Sequence, residues 1–304
     1  VEQRVNDTNN TRHPIGFEQW HSDGDYFQHQ NHRIFFQIAG EKNKPVLLLL
    51  HGFPTASWDW HHQWPALSAR FHVITFDMLG FGYSDKPKKY QYTMMEQADI
   101  ATALLQHLNI DRYHLIAHDY GVSVGQELIA RYLENSAAEI LSVVMLNGGL
   151  FPEQHRPTLR QKMLHSPLGP LMAKLFNLSA FGSSFSEVFG PNSKPTQTEL
   201  AQFWQLINHN DGRQALAKLI SYIDERRLHR ERWVGALLNS DLPTRLINGP
   251  EDPVSGRHLT DYYQQQVDKP DIVSLPGIGH YPQVEAPEDV TTAILEFLNQ
   301  QAKT

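Results

Sequence analysis

The stretch Arg112-Tyr-His-Leu-Ile-Ala-His-Asp119-Tyr120-Gly121-Val-Ser-Val-Gly-Gln-Glu-Leu128 decides how this chain is read. Leu115, Ile116 and Ala117 make a short apolar run, as a buried strand does. Val122, Leu128, Ile129 and Leu133 then follow a helical pattern. Between the two lies small-x-Asp-x-small: Ala117, His118, Asp119, Tyr120 and Gly121. Small residues on either side of Asp119 let a strand and a helix come very close at one sharp turn.

Outward from this turn the same alternation repeats. Upstream, Val46-Leu-Leu-Leu-Leu50 and Phe71-His-Val-Ile-Thr-Phe76 read as strands, and 25–39 reads as an early hairpin. A Trp-rich turn with a short helix follows Ser57, and a helix spans 92–108 on the stripe Ile100, Leu104, Leu105 and Leu108. Downstream, Ile140-Leu-Ser-Val-Val-Met-Leu146 is another strand. From 151 to 232 no strand signal appears, only short helical patterns over 171–178, 199–208 and 214–223. A bare loop of that length does not fit a compact domain. A helical lid over 151–232 is therefore expected, inserted into a core formed by 1–150 and 233–304. The alternation resumes with strands at 244–248 and 272–275 and ends in a helix over 288–299. This order predicts an α/β fold with a mostly parallel sheet covered by helices on both faces. Residues 1–16 are polar and read as a loose arm.

Composition narrows the function. A net charge of −7 implies neither a nucleic-acid partner nor a patch for anionic membranes. No apolar run approaches the roughly 18 residues that a membrane span needs. The chain has no cysteine, which excludes disulfides, thiolate metal sites and thiol nucleophiles. No metal or cofactor is expected, and the oligomeric state is left open. The cytoplasm is the expected compartment, with the periplasm open, since the chain opens on Val1 and leaves room for a removed leader.

Asp119, Asp252 in Gly249-Pro-Glu-Asp-Pro253 and His280 in Gly277-Ile-Gly-His280 all follow the ends of predicted strands. Open α/β sheets place their sites there. Alone, each reads as an ordinary turn residue; together they suggest a site. His51-Gly-Phe-Pro54, the His118-Asp-Tyr-Gly121 turn, the Asp252 turn and Gly279-His-Tyr-Pro282 resemble the α/β-hydrolases, in the branch of epoxide hydrolases and dehalogenases. Asn147-Gly-Gly-Leu-Phe-Pro-Glu153, Arg232-Trp-Val-Gly-Ala-Leu237 and Gly249-Pro-Glu-Asp-Pro-Val254 resemble the mesoderm-specific transcript group and its bacterial relatives. The resemblance implies a nucleophile elbow at Asp119, where serine is usual, followed in chain order by acid Asp252 and base His280. It implies an oxyanion hole from the backbone N–H groups of Phe53 and Tyr120. Asp77 and Ser84 read as loop-holding residues, His118 as structural, and Ser123 as pointing into its helix.

A carboxylate attacking an ester or amide carbonyl gives an anhydride, a poor route. Attack on a saturated carbon that bears a leaving group gives a stable ester. Asp119 thus points to an epoxide or alkyl halide, with His280 activating the water that cleaves the ester. The expected partners are a small apolar organic substrate and water. Epoxide hydrolases use lid tyrosines, usually two; here Tyr222 is the one tyrosine between Gly149 and Pro243. A second donor would be His155, His209, Trp204 or none. Haloalkane dehalogenases place Trp after the nucleophile and add an Asn or a lid Trp; the first two positions here are Tyr120 and Phe53. Epoxide opening is the leading expectation, with Tyr222 as acid and Trp204 and His155 at the substrate. Haloalkane dehalogenation is the enzymatic alternative, and a non-enzymatic ligand-binding homologue the alternative of another class.

Overall fold

The computed structural model describes residues 15–135 and 138–302. Most of the expected arm over 1–16 therefore lies outside the described residues. Eight strands form one sheet: β1 (Asp25–His29), β2 (His32–Ala39), β3 (Val46–Leu50), β4 (His72–Phe76), β5 (Arg112–Asp119), β6 (Glu139–Gly148), β7 (Thr244–Asn248) and β8 (Asp271–Ser274). Their spatial order is β1-β2-β4-β3-β5-β6-β7-β8. β1–β2 and β2–β4 pair antiparallel, and every later pairing is parallel.

Residue type explains the centre of the sheet. Leu47 to Leu50 in β3 and all of β4 are buried, so both faces of these strands are covered. The helix Met94–His107 begins where the Thr93 side chain accepts the Glu96 N–H, and it buries Ile100, Leu104 and Leu105. The helix Tyr120–Leu133 leaves directly from the end of β5. The last helix, Pro287–Gln301, buries Val290, Ile294 and Phe297. The helix Phe17–Asp23 escaped the pattern reading, as did Leu159–Leu164 and Pro282–Glu285; Phe17–Asp23 buries Trp20, whose ring lies 4.9 Å from that of Trp64.

Between β6 and β7 the described residues form helices and no strand. The expected helix over 171–178 is two. Gly169–Leu175 stops, and the Asn177 side chain accepts the Ala180 N–H at 3.0 Å to start Leu178–Glu187. The continuous helix expected over 214–223 is also broken. A 3₁₀ stretch at His209–Ala215 carries Asn210 and Asp211 at positive φ, and Leu216–Leu219 precedes a separate helix, Tyr222–Leu228. The boundary drawn at 232 falls inside the helix Arg230–Asn239. That helix is tied to Tyr120–Leu133 by Trp233 and Arg232, both donating to Glu127.

Candidate active site

The sharp turn after β5 places Asp119 at φ 45° and ψ −104°, a strained conformation for a residue with a side chain. Close packing explains the small neighbour: a Cβ on Gly121 would lie 2.8 Å from the His51 carbonyl oxygen and from Leu50. Such strain persists only where the surroundings over-determine it. Here the Gly121 N–H donates to the His51 carbonyl at 3.0 Å, and the Phe53 N–H donates to Asp119 Oδ2 at 3.0 Å.

The loop carrying Phe53 is itself held on several sides. His51 donates from Nδ1 to the Gly52 carbonyl and accepts the Met78 N–H at Nε2. Asp59 accepts the Gly52 N–H and the Thr55 hydroxyl, while Tyr281 Oη donates to the Phe53 carbonyl. Asp77 accepts from Ser57 and from the Tyr83 N–H, and Ser84 Oγ donates to the Asp77 carbonyl. Both residues thus bind loop backbone.

Asp252, in the turn after β7, is buried. Its Oδ2 accepts from His280 Nδ1 at 2.7 Å, Ser255 Oγ at 2.6 Å and Asn147 Nδ2 at 2.9 Å, and its Oδ1 accepts the Val254 N–H at 2.7 Å. His280 then presents Nε2 3.8 Å from Asp119 Oδ2. The His280 backbone is pinned too. Its N–H donates to the Val188 carbonyl, and its carbonyl lies 2.7 Å from His118 Nε2. Glu285 accepts the N–H groups of Gly279, Tyr281 and Gly190.

The structure adds a residue that sequence reasoning passed over. Arg226, from the helix Tyr222–Leu228, is buried against the elbow. Its Nη2 donates to the Asp119 carbonyl at 3.0 Å and lies 3.6 Å from Asp119 Oδ1, while Nε donates to Ser123 Oγ at 2.7 Å. A Cβ on Gly149 would stand 2.4 Å from Nη1, so the Gly148-Gly149 pair makes the room for this guanidinium. The guanidinium carbon also sits 4.5 Å from the Tyr222 ring centroid. Asn147 and Glu285 were likewise missed as supports.

Charges in this cluster adjust to one another. Burial pushes the Asp119 carboxyl up, but His280 and Arg226 outweigh it and hold it well below the usual carboxylate range. Burial pushes His280 down, but Asp252 and Asp119 overcome this and raise it to about 10. Burial, aided by Arg226, lowers His155 to about 3, so its ring is neutral at pH 7. Burial raises Tyr222, with Asp119 acting in the same direction, so the phenol keeps its proton.

The other expected residues are distributed unevenly. Tyr222 is buried, with ring centroids 5.6 Å from Phe53 and 5.4 Å from Tyr120, and its hydroxyl accepts from Gln161 Nε2 at 3.4 Å. His155 stands 6.3 Å from the Tyr222 ring. Trp204 packs behind Phe176 and Phe181, which themselves line the cavity, and His209 packs on Tyr83. That cavity, of about 270 Å³, has Phe53, Val254, His280 and Tyr281 on its sheet side. Met163, Leu164, Met172, Phe176, Phe181, Phe185 and Leu216 of the helical segment close the other side. It suits a small, mostly apolar molecule. No group of three or more His, Asp or Glu among the described residues is placed to hold a metal ion.

This sheet and elbow define a class, and the chain belongs to the α/β-hydrolase fold family, whose model matches residues 45–287. It is a hydrolase of the α/β-hydrolase type. Among its relatives it is 41% identical to the mesoderm-specific transcript protein of Mus musculus over 291 residues, covering 92% of this chain and 87% of that protein. It is 36% identical to the "Putative hydrolase LipZ" of Mycobacterium tuberculosis over 283 residues, covering 92% of this chain and 97% of LipZ. The solved haloalkane dehalogenase DbeA of Bradyrhizobium elkani superposes with a TM-score of 0.79 at 20% identity, covering 92% of this chain and 98% of the other. No helix among the described residues is long and apolar enough to cross a membrane.

Proposed function

We propose that this hydrolase opens an epoxide, or a similar carbon electrophile, through an ester on Asp119. The observation that carries the reading is a carboxylate, not a hydroxyl, at the strained elbow, with Oδ2 on the Phe53 N–H at 3.0 Å. That bond leaves Oδ1 as the attacking oxygen. Oδ1 forms a bond to the epoxide carbon as the carbon–oxygen bond of the ring breaks. Tyr222 gives its proton to the departing oxygen, and Arg226 keeps Asp119 ionised before attack.

Water then adds to the Asp119 carboxyl carbon, and His280 takes its proton. The oxyanion that forms on Oδ2 is met by the Phe53 N–H and by the Tyr120 N–H at the helix N-terminus. Ester formation also prepares this step. It removes one of the two carboxylate charges that hold the His280 proton, so the imidazole becomes easier to deprotonate. Asp252 keeps the ring oriented through Nδ1. Collapse of the adduct breaks the alkyl ester bond; the departing alkoxide takes the proton from His280 to give the diol, and the proton left on the Asp119 carboxyl restores the Tyr222 phenol. The segment 151–232 acts as a lid over the core of 1–150 and 233–304, excluding bulk water. His155 faces the substrate as a neutral polar group, and Trp204 supports the cavity wall.

The test begins with matched epoxides and bromoalkanes offered to the wild type. Diol formation is expected; bromide release without diol moves the assignment to a haloalkane dehalogenase. His280→Gln is then given an epoxide that the wild type turns over. Attack does not need the base but ester hydrolysis does, so intact-protein mass should rise by one substrate, with the label on Asp119. An unmodified mass would mean that water attacks the substrate directly.

A further inference from the structure

The helical segment carries an apolar surface that its role over the cavity does not require. Ten large apolar side chains are exposed among the described residues, and seven of them fall between Leu159 and Leu178. Of these seven, Leu159, Leu168, Leu171 and Leu175 are the most open, at 72%, 65%, 55% and 66%. Single exposed leucines are ordinary, but a cluster of them marks a contact surface. Met163 and Met172 belong both to this cluster and to the cavity lining, so the cluster surrounds an approach to the cavity.

Charge indicates what the surface meets. The whole protein carries −7, yet residues 154–186 contain no Asp or Glu and four basic residues: Arg156, Arg160, Lys162 and Lys174. Arg160 is engaged with Ser183, the Ala180 carbonyl and Glu187. Arg156, Lys162 and Lys174 are exposed, and the two lysines stand on the same helices as the leucines, Leu159–Leu164 and Gly169–Leu175. Exposed leucines ringed by lysine and arginine suit the boundary between headgroups and acyl chains of an anionic lipid layer. A second copy of this chain suits it poorly. A two-fold interface sets a patch against itself, and here that would bring Lys162 and Lys174 together, while the nearby carboxylates of Asp224 and Glu187 are already engaged with His165 and Arg160.

We infer that the face formed by Leu159–Leu164 and Gly169–Leu175 docks onto an anionic lipid surface. The leucines insert shallowly while Lys162 and Lys174 meet the headgroups. Docking turns the cavity approach toward the acyl region, so apolar molecules dissolved in lipid reach the cavity without crossing water. The net charge hides this because the acidic residues that set it lie elsewhere in the chain. The inference stands whether or not the substrate is an epoxide.

The experiment is sedimentation of the full chain with vesicles of phosphatidylcholine alone or mixed with phosphatidylserine. Binding should be seen with the mixed vesicles and weaken with added salt. The triple variant Leu168→Ser, Leu171→Ser, Leu175→Ser changes side chains outside the cavity lining. It should keep less than about a tenth of the vesicle affinity while turnover of a water-soluble substrate is retained. Lys162→Glu with Lys174→Glu alters only exposed charges and should lower affinity roughly tenfold or more, which keeps the test informative if the triple variant fails to fold. Wild type that stays in the supernatant with mixed vesicles overturns the inference, as does full binding by the folded leucine variant or by the charge variant. Vesicle-free dimerisation that the leucine variant abolishes would instead assign the face to a contact between copies.

Discussion

The turns at the carboxyl end of the sheet and the helical segment above them are built on opposite terms. Asp252 accepts four hydrogen bonds from four different residues, and both neighbours of His280 are tied to Glu285. The segment instead strings together helices of 4 to 12 residues and leaves leucines in the open. Groups that a reaction must hold in fixed geometry sit on the part tied by the most hydrogen bonds. The far wall of the cavity is instead made of short helices. Arg226 and Tyr222 belong to the segment yet reach the elbow, and Val188 and Gly190 of the segment hold the His280 turn, so the two regions meet around the site.

The largest effect should come from the rigid side. Asp119→Ala removes the proposed nucleophile and is expected to lower turnover by at least about 10⁴-fold. Because the strands and their buried leucines are untouched, circular dichroism should match the wild type. Wild-type activity in this variant would take the chemistry away from the elbow altogether.

That rigid side was also the legible one. Val46–Leu50 and the run before Asp119 can only be covered strands, and Asp252 and His280 follow strand ends whose apolar runs announce them. Such signals are local and repeat along the chain. The segment offered no comparable period. Its helix starts are set by single side chains, such as Asn177 accepting the Ala180 N–H, or Thr158 and Thr196 in capping boxes with Gln161 and Glu199. The capping boxes could have been found as Thr-x-x-Gln and Thr-x-x-Glu. Arg226 could not, because Asp224-Glu225-Arg226-Arg227 reads as one solvated run. Its burial depends on the space left at Gly149, 77 residues earlier, by the missing side chain. Phe17–Asp23 was missed because a seven-residue helix with two buried aromatics shows no period; Trp20 is fixed by Trp58 and Trp64.

A second experiment probes the segment's share in the chemistry. Tyr222→Phe keeps the ring against Phe53, Tyr120 and Arg226 and removes only the hydroxyl, whose hydrogen bond to Gln161 is long at 3.4 Å. Loss of a positioned acid lowers the rate by roughly 10²–10⁴-fold. Epoxide turnover should fall by that amount with the melting temperature nearly unchanged. Any bromoalkane turnover should survive, because a halide leaves without a proton. Equal epoxide rates in the two proteins would confine the chemistry to the sheet side and leave the segment only a covering role.

The smallest expected effect lies at the seam itself. Glu225, beside Arg226, accepts the Met94 N–H at 2.9 Å and so joins the segment to the start of the helix Met94–His107. Burial raises its carboxyl from 4.5 to about 7, against the Met94 N–H, which pulls it down. The folded state therefore binds this proton more tightly than the unfolded chain does. Its stabilising contribution is complete below pH 4.5 and is lost as pH rises through about 7. Glu225→Gln keeps an acceptor for Met94 and cannot ionise. Relative to the wild type it should melt at a similar temperature near pH 5 and higher near pH 8. Partial exposure screens the effect, so the gain at pH 8 should be on the order of 2 °C. Thermal melts of both proteins at the two pH values decide it. A difference that stays constant with pH would mean that Glu225 ionises freely, and that the segment grips the core without a pH-sensitive contact at this point.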